Sequence, residues 1–509
     1  LLLLAMLPWR LADALLTLAL AGVMLAGAAA ESRGHVWSPY YRISLQPLTQ
    51  IVERGTNRLV RFREPIGQVL TVNNDYPQMM LDLRSGGRQH PFVADWRQLY
   101  EAPYARYAEM PPLPPGPILI VGAGTGNDVA AALRTTDRLI TAVEIDPAIA
   151  AIGRAHHPER PYADPRVTLV VDDARSFFHR ARSGEYAAVV FGFLDSHRLL
   201  SAFGSVRLDN FIYTREAMAE VSRLLAPRGR VALTFASNRP WIHARLLSLV
   251  GQSFGGQAWT VLPTHKYANG ILYLAARGGQ PGAAADHAGG TLVPSDDWPF
   301  LYLRERRIPS HNTLFLLVAL SFSAAAFLVL PSGERRIRVP YFLLGAAFFL
   351  LETSNVVRMA LLFGSTWAVN TVVFAGILAL VLLANLTAAR WRVPLAACVA
   401  AVGLGILLAA MLPVGPLLEL PIGARVAAAV VVYLGPVFFG GLIFARLIEN
   451  EARLFEAYGS NVLGAVLGGG AEYLSLVFGF RFLLALALAF YFGVFLLLRR
   501  GVPLAVRPR

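Results

Sequence analysis

Long apolar stretches in the second half of the chain constrain its fold more than any other feature. About seven of them follow one another, most close to 20 residues long: 313–330, 340–363, 366–387, 393–412, 424–446, 461–479 and 481–498. A helix of about 20 apolar residues crosses the hydrocarbon core of a bilayer. A buried soluble core does not contain so many runs of this length, so the sequence predicts a polytopic α-helical membrane domain over residues 313–498.

The N-terminal end carries a further apolar stretch. Residues 11–30 are long enough to cross a membrane, and the small residues at 26–30 leave a cleaved signal peptide as the alternative. We predict one or more transmembrane segments within residues 1–31. Because the sequence begins with Leu instead of Met, a truncated N-terminal segment is expected.

Arginines give a first indication of where the chain resides. The formal net charge is +13, and the arginines are spread along the chain instead of clustering on one segment, which argues against a nucleic-acid partner. Arg304, Arg306 and Arg307 directly precede the first C-terminal apolar stretch, and such charges tend to stay in the cytoplasm. We therefore expect an integral protein of a bacterial inner membrane, with the lipid bilayer as a partner and the preceding soluble region in the cytoplasm.

The same rule does not give one consistent topology. Counting onward from those arginines puts the arginines at 335–338 and 390–392 on the outer side. Either one segment is re-entrant, or the segment boundaries are shifted. The number of crossings is therefore left open.

The region between the two apolar parts has the composition of a soluble protein. Strand-like runs in residues 32–112 predict a small β-rich N-terminal module. Residues 113–275 alternate apolar strands with helical stretches, which is typical of a doubly wound, Rossmann-like α/β domain with a parallel sheet. Such sheets bind ligands at the carboxyl ends of their strands. Residues 276–312 begin with a stretch rich in Gly, Ala and Pro and are expected to form a linker.

A glycine-rich motif, GAGTGN (122–127), follows the first strand of this α/β domain and precedes a helix. Glycines let the backbone approach a ligand closely, and a helix N-terminus favours negative or polar ligand groups. A dinucleotide fingerprint requires Gly at the sixth position, where this chain has Asn127. G-x-G-x-G is instead found in S-adenosylmethionine-type enzymes. The candidate cofactor-binding residues are Gly122, Gly124, Thr125 and Gly126.

Acidic residues end the next two strands. Glu144 ends the second strand, where a carboxylate can accept hydrogen bonds from both hydroxyls of a ribose. Asp172 and Asp173 end the third, where a carboxylate can accept from an adenine amino group. Solvated strand-end acids are the alternative, but three acids in this order favour a cofactor site. Asp146 is expected to cap the following helix.

Several motifs in this order resemble those of the spermidine synthases, the polyamine aminopropyltransferases. They are SPYYRI (38–43), LTVNNDYPQ (70–78), ILIVGAGTGND (118–128), AVEIDP (142–147), DPRVTLVVDDARSFF (164–178), YTRE (213–216) and PTHKYANG (263–270). The rest of the chain resembles a membrane-embedded branch of that family, through DDWPFLYLRERRIP (296–309), FLLETSNVVRMALLFGSTWAVN (349–370) and GSNVLGAVLGGGAEYLSLVFGFR (459–481). The resemblance implies an S-adenosylmethionine-type transferase fold. It also implies S-adenosylmethionine or its decarboxylated form as donor, and aminopropyl transfer to an amine.

The chain departs from the family where the chemistry takes place. It has Thr125 and Gly192 at positions where the family has Asp, and Tyr41 where the family often has Gln. Of three carboxylates around the transferred group, Asp195 remains. An acid at position 125 would repel the carboxylate of S-adenosylmethionine, so Thr125 predicts a pocket that tolerates this donor better than a standard spermidine synthase does.

Aminopropyl transfer requires an amine that loses a proton, so groups near Asp195 are the candidates for a base. His197 has a suitable pKa for that role in an unperturbed site, although a polar loop residue is the alternative. A structural ion pair is the alternative for Arg207 with Asp209. The candidate catalytic residues are Asp195, His197, Arg207 and Asp209. Asp296 and Asp297 either fold back over the pocket or form a solvated turn.

Three functions are compatible with these features. The first, favoured by resemblance, is aminopropyl transfer to a small-molecule amine. The second is an S-adenosylmethionine-dependent methyltransferase that acts on a membrane-associated substrate. The third is a non-catalytic membrane sensor or transporter that binds the cofactor or a polyamine, in which Glu352, Arg358 and Glu472 within the apolar segments take part. The single cysteine, Cys398, excludes an internal disulfide, and no metal is expected. A homodimer is among the partners that the sequence allows.

Overall fold

A computed structural model describes residues 11–500, except for residues 33, 41, 54–57, 74, 85–89, 195–210, 237–238, 256–257, 262–269, 279–290, 330–335, 365–366, 413 and 450. An N-terminal helix, α1 (Leu11–Glu31), precedes a small β module. That module contains a four-stranded antiparallel sheet in the order β1-β2-β5-β6 and a separate β3-β4 hairpin. Its strands are β1 (His35–Trp37), β2 (Arg42–Pro47), β3 (Gln50–Glu53), β4 (Arg58–Arg61), β5 (Gly67–Val72) and β6 (Asp75–Leu81).

A seven-stranded sheet forms the centre of the α/β domain, in the order β12-β13-β11-β10-β7-β8-β9. The strands are β7 (Ile118–Val121), β8 (Ile140–Glu144), β9 (Val167–Val171), β10 (Tyr186–Phe191), β11 (Leu225–Phe235), β12 (Ala258–Val261) and β13 (Ile271–Ala276). The helices are α2 (Pro91–Ala108), α3 (Asn127–Thr135), α4 (Pro147–His156), α5 (Ala174–Arg180), α6 (Arg215–Leu224) and α7 (Pro240–Ser253).

Five adjacent strands of this sheet are parallel, and β13 runs antiparallel to both β11 and β12. All four residues of β7 are fully buried, as expected for a strand with both faces covered. From β7 the chain proceeds outward through β8 and β9, and then returns to β10 on the other side of β7. This reversal creates a crevice at the carboxyl ends of β7 and β10, where such sheets bind ligands. The Rossmann-like fold predicted from the sequence is confirmed.

Seven helical segments form the C-terminal half of the chain, in the part that the structure describes. They are α8 (Ser310–Val329), α9 (Val339–Phe363), α10 (Trp367–Arg390), α11 (Leu395–Met411), α13 (Ile422–Ala429) continued by a π-helical turn and α14 (Gly435–Glu449), α15 (Leu454–Ala471) continued by a 3₁₀ turn and α16 (Ser475–Phe478), and α17 (Phe480–Arg499). A short helix, α12 (Gly415–Leu418), precedes α13. Six of the segments are long and apolar enough to cross a membrane, and α11 is shorter.

One end of this helical bundle faces the α/β domain. Gly415 contacts His179 of α5, and Gly479 contacts Asp297 just before the bundle. Because the segments alternate in direction, their other ends lie far from the α/β domain, and those ends carry Arg336, Arg338, Arg390, Arg392, Arg446, Arg453, Arg499 and Arg500. The end that faces the α/β domain also carries arginines, among them Arg304, Arg306 and Arg307, so the distribution of positive charge does not assign an orientation. The cytoplasmic placement of the α/β domain therefore stays a prediction.

Residues 291–309, the connecting segment, pack between the two parts of the chain. Leu301 is fully buried in the core of the α/β domain, and Trp298 and Phe300 are buried in the core of the bundle. The indole N–H of Trp298 donates a 2.8 Å hydrogen bond to the carbonyl of Leu476. The linker expected over 276–312 stays a prediction, and its part from 291 to 309 is packed, because these large apolar side chains join both cores.

Two aspartates of the connecting segment are engaged at this interface. The carboxylate of Asp296 accepts two hydrogen bonds from Arg175 of α5, at 2.9 and 3.0 Å. The carboxylate of Asp297 accepts from the backbone N–H of Arg481 at 2.8 Å. These contacts attach the α/β domain to the bundle, whereas the sequence left open a position over the pocket or a solvated turn.

Two of the ionisable residues within the bundle have partners on other helices. Arg358 donates a 2.6 Å hydrogen bond to the carbonyl of Ala409 at the end of α11, and its guanidinium lies 5.4 Å from the centre of the Tyr433 ring. Glu472 accepts a hydrogen bond from Thr353. A role for these residues in transport stays a prediction.

Candidate functional site

The glycine motif forms a tight turn between β7 and α3. Gly122, Gly124 and Gly126 have φ angles of +67°, +56° and +112°, a region that residues with a side chain rarely adopt. A side chain at Gly122 would overlap that of Leu194, and one at Gly126 would lie 2.6 Å from Pro161. The motif therefore requires glycine at these positions, both for conformation and for space.

The N-terminal module covers this turn. Gln78 of β6 accepts a 3.1 Å hydrogen bond from the backbone N–H of Thr125. Ser38 donates a 2.6 Å hydrogen bond to Asp146, which also accepts from the backbone N–H of Ala148 at 2.8 Å and thereby caps α4, as predicted. The motifs around Ser38 and Gln78 thus belong to the wall of the crevice.

Glu144 at the end of β8 lies directly beside the turn. One carboxylate oxygen accepts from the backbone N–H of Gly124 at 2.7 Å, and the other accepts from that of Asp146 at 2.9 Å. The residue is 6% exposed, and burial raises the pKa of its carboxyl to about 7 against the effect of these two hydrogen bonds. Each oxygen keeps a second lone pair that could accept from a ribose hydroxyl.

The acids at the end of β9 have other partners. Asp172 forms an ion pair with Arg180. Asp173 caps α5 by accepting a 3.0 Å hydrogen bond from the backbone N–H of Ser176, and burial raises the pKa of its carboxyl. These contacts place both acids at the predicted strand end. Their contact with an adenine stays a prediction.

The predicted catalytic residues Asp195, His197, Arg207 and Asp209 lie outside the described residues, and so does Tyr41. Position 192, where the family has an acid, is described. It lies at the end of β10, hydrogen-bonded through its backbone N–H to the carbonyl of Val121 at 3.1 Å. Gly192, which stands where the family has an acid, therefore lies at the carboxyl edge of the sheet, beside the glycine turn.

A carboxylate that the sequence analysis missed occupies this place. The Oδ2 atom of Asp128 lies 2.8 Å from the position that a Cβ atom would take at Gly192. Asp128 is in the first turn of α3, where an acid is usually explained by the helix dipole, so its sequence position carried no separate signal. Burial raises the pKa of its carboxyl to about 7.

Aromatic side chains line the adjoining wall. The ring of Trp96 lies 5.8 Å from that of Tyr100 and 6.2 Å from that of Phe193, measured between centroids. Tyr100 and Phe193 are also 6.2 Å apart, nearly perpendicular. Since Phe193 directly follows Gly192, this aromatic cluster borders the carboxylate of Asp128.

Comparisons with known proteins were made over the whole chain. No family model matches it. It is 30% identical over 168 residues to putrescine N-methyltransferase 3 of Nicotiana tabacum, a match that covers 31% of this chain and 41% of the relative. It is 28% identical over 168 residues to spermidine synthase 1 of Pisum sativum, covering 31% of this chain and 46% of that relative. The chain thus spans less than half the length of these curated relatives.

A solved structure of a probable spermidine synthase from Corynebacterium glutamicum is also similar, with a TM-score of 0.38 and 14% identity over 52% of this chain and 95% of that protein. The sequence matches confirm the resemblance that the motifs predict. The α/β part of this chain thus has a Rossmann-like fold and is similar in sequence to spermidine synthases and putrescine N-methyltransferases.

Proposed function

We propose that this chain is a membrane-anchored transferase that moves a carbon group from an S-adenosylmethionine-type donor to an amine. The observation that carries the proposal is the glycine turn with Glu144 beside it, at the crevice between β7 and β10. Its backbone geometry suits a close ligand, and Glu144 offers acceptors for ribose hydroxyls. The similarity to spermidine synthases and putrescine N-methyltransferases supports the same donor class and an amine acceptor.

In such a reaction the amine nitrogen attacks a carbon next to the sulfonium. The new C–N bond forms as the C–S bond breaks, the sulfur leaves as a neutral thioether, and one proton passes from the nitrogen to a base. The protein must therefore position the amine, exclude water and accept that proton. Asp195, His197, Arg207 and Asp209 remain candidates for these tasks.

Aminopropyl transfer is the first candidate, because the sequence motifs resemble those of the spermidine synthases. Methyl transfer is the second, and Thr125 is the observation that favours it. Thr125 is fully buried, and its hydroxyl has no hydrogen-bond partner among the described residues. A buried hydroxyl without a partner suits a ligand group that completes its hydrogen bonds. Unlike an Asp, it would not repel the carboxylate of S-adenosylmethionine.

We also propose that the bundle lies in a membrane. Large apolar side chains point away from its core, among them Val372, Leu378 and Leu382 of α10, which are 71%, 69% and 60% exposed. A soluble protein rarely exposes apolar surface on this scale, whereas a lipid-facing surface requires it.

Calorimetric titration of the full chain in detergent tests the donor. We expect S-adenosylmethionine to bind the unmodified chain. Thr125→Asp should lower the affinity for S-adenosylmethionine, relative to that for the decarboxylated form, by about tenfold or more, because like charges in a partly buried site repel by a few kcal/mol. Thr168→Asp, at an exposed position of β9, is the matched control. Preference of the unmodified chain for the decarboxylated donor would decide for aminopropyl transfer. Binding of neither donor would overturn the proposed function.

A further inference from the structure

The carboxylate of Asp128 fills the space that a side chain at position 192 would need. A Cβ atom at Gly192 would lie 2.8 Å from Oδ2 of Asp128 and 3.0 Å from the carbonyl oxygen of Gly122. Gly192 is not among the described glycines with positive φ, so its backbone would accept another residue. A side chain at position 192 would therefore be crowded by the acid on α3 and, to a smaller extent, by the backbone of the glycine turn. Among the described residues, the carboxylate at this edge of the sheet belongs to the helix and not to the strand.

No side chain in the described part of the chain donates a hydrogen bond to this carboxylate, although it is only partly accessible to solvent. The described ionisable groups on which its charge acts are tyrosines. Burial, and after it the charge of Asp128, raises the pKa of Tyr100 and of Tyr104 on α2. The hydroxyl of Tyr104 is buried and without a partner among the described residues. A sheltered carboxylate without a cationic partner is costly unless a ligand supplies one.

The rings of Trp96, Tyr100 and Phe193 give this acid an aromatic surrounding. An ammonium group is attracted both by a carboxylate and by the faces of aromatic rings. The indole N–H of Trp96 is buried and has no partner in the same described part of the chain. The aromatic cluster and Asp128 together therefore have the chemistry to hold a protonated amine at the end of β10.

We propose that Asp128 binds the acceptor amine and accepts its proton during transfer. The inference rests on the proposed function and adds a catalytic residue to it. As the amine nitrogen bonds to the donor carbon and the C–S bond breaks, the proton leaves nitrogen for the Asp128 carboxylate, and the sulfur leaves as a thioether.

The ionisation of Asp128 fits this role. Burial raises the pKa of its carboxyl to about 7. A general base is most effective when its pKa lies near the operating pH, so at neutral pH this carboxylate is suited to accept a proton from the amine. Among the described residues, the ionisable groups whose pKa values respond to its charge are Tyr100 and Tyr104 of α2 and Tyr162 of the turn before β9. None of these is a cation. Binding of an ammonium group should therefore lower the pKa of Asp128 and release a proton.

Titration of the full chain with putrescine, as the amine probe, tests the inference without requiring turnover. In buffers of different ionisation enthalpy at pH 7, we expect release of about half a proton per bound amine, since an acid with a pKa of about 7 is half protonated there. Asp128→Asn should bind putrescine at least ten times more weakly, without that proton release. Asp164→Asn, which removes an acid paired with Arg166 outside the crevice, is the control. Equal binding by the Asp128→Asn variant and the unmodified chain, or no binding by either, would overturn the inference.

A relocation experiment separates a catalytic role from a structural one. Asp128→Ala should lower transfer of the donor group to putrescine by at least a hundredfold while donor affinity is kept. Gly192→Asp alone should also be inactive, because the new side chain meets Asp128. The double variant, Asp128→Ala with Gly192→Asp, should recover at least tenfold of the activity lost in Asp128→Ala. If the double variant binds the donor but recovers no activity, the role of Asp128 is refuted. If the unmodified chain itself does not bind the donor, the proposed function is refuted.

Discussion

Replacing Asp296 with alanine should loosen the contact between the connecting segment and the α/β domain. Both oxygens of this carboxylate accept from the Arg175 guanidinium, at 2.9 and 3.0 Å. Thr214, the N-cap of α6, donates a further 2.7 Å hydrogen bond to it. One substitution therefore removes three hydrogen bonds that connect α5, α6 and the segment leading to the bundle.

The size of the effect follows from what remains around Arg175. Its side chain is 7% exposed and stays paired with Glu220, at 2.9 Å, so the buried cation keeps one counter-charge. A hydrogen bond to a charged group contributes about 1.5–3 kcal/mol, so losing the two from Arg175 alone should cost at least about 3 kcal/mol of local stability. Asp164→Ala breaks a pair whose Arg166 side chain is 31% exposed, and such a pair contributes at most about 1 kcal/mol.

Hydrogen exchange measured by mass spectrometry on the full chain in detergent resolves this difference locally. Peptides covering residues 211–224 and 291–303 should exchange roughly 100-fold faster in Asp296→Ala, because each 1.4 kcal/mol changes an opening equilibrium about tenfold. Peptides from α9 and α15 should be unchanged. If both regions exchange in Asp296→Ala as they do in Asp164→Ala, the ion pair does not hold the segment, and the reasoning fails.

Two further predictions concern the donor site and the bundle. The pKa of Glu144, about 7, lies above its usual value of 4.5. This carboxyl therefore contributes less to the stability of the fold as pH rises from about 4.5 to 7. Over the upper part of that range the carboxyl ionises, so its binding to ribose hydroxyls should strengthen. Glu144→Gln should weaken donor binding at least tenfold and remove this pH dependence in calorimetry, and unchanged affinity would exclude the ribose contact. Gly345→Val or Gly464→Val should cost more than about 3 kcal/mol in thermal unfolding, because a side chain at either position would overlap a carbonyl of the facing helix. Gly459→Ala, with open space around it, should have no such effect, and equal melting temperatures would refute the close contact of α9 and α15.

Features that depend on local pattern could be predicted from the sequence. The apolar stretches match seven helical segments, because the length of an apolar run determines the length of the helix that buries it. The glycine turn could be found in the same way, since only glycine adopts its φ angles readily. Glu144 was placed correctly at the end of β8 because apolar strands end where polar residues begin.

Features that depend on strand order could not be predicted. The carboxylate of Asp128 approaches Gly192 only because β10 lies beside β7, and 64 positions separate the two residues in the chain. The periodicity of apolar residues does not indicate which strands lie next to each other in the sheet. The packing of the connecting segment could not be predicted for a related reason. The Gly- and Ala-rich residues before it suggested a linker, and the burial of Trp298 and Leu301 requires two separate cores that come together only in the fold.

The connecting segment also determines how the chain can be divided. A fragment ending at residue 275 would lose Asp296 and Leu301, leaving Arg175 short of a counter-charge and an apolar gap in the α/β core. A fragment ending at residue 309 would keep both, but would present Trp298 and Phe300 to water. Neither cut yields a self-contained soluble unit. The two halves are therefore joined at adjacent residues: Asp297 lies against Gly479 of the bundle, and Asp296 pairs with Arg175 of α5, the helix that begins beside Asp173.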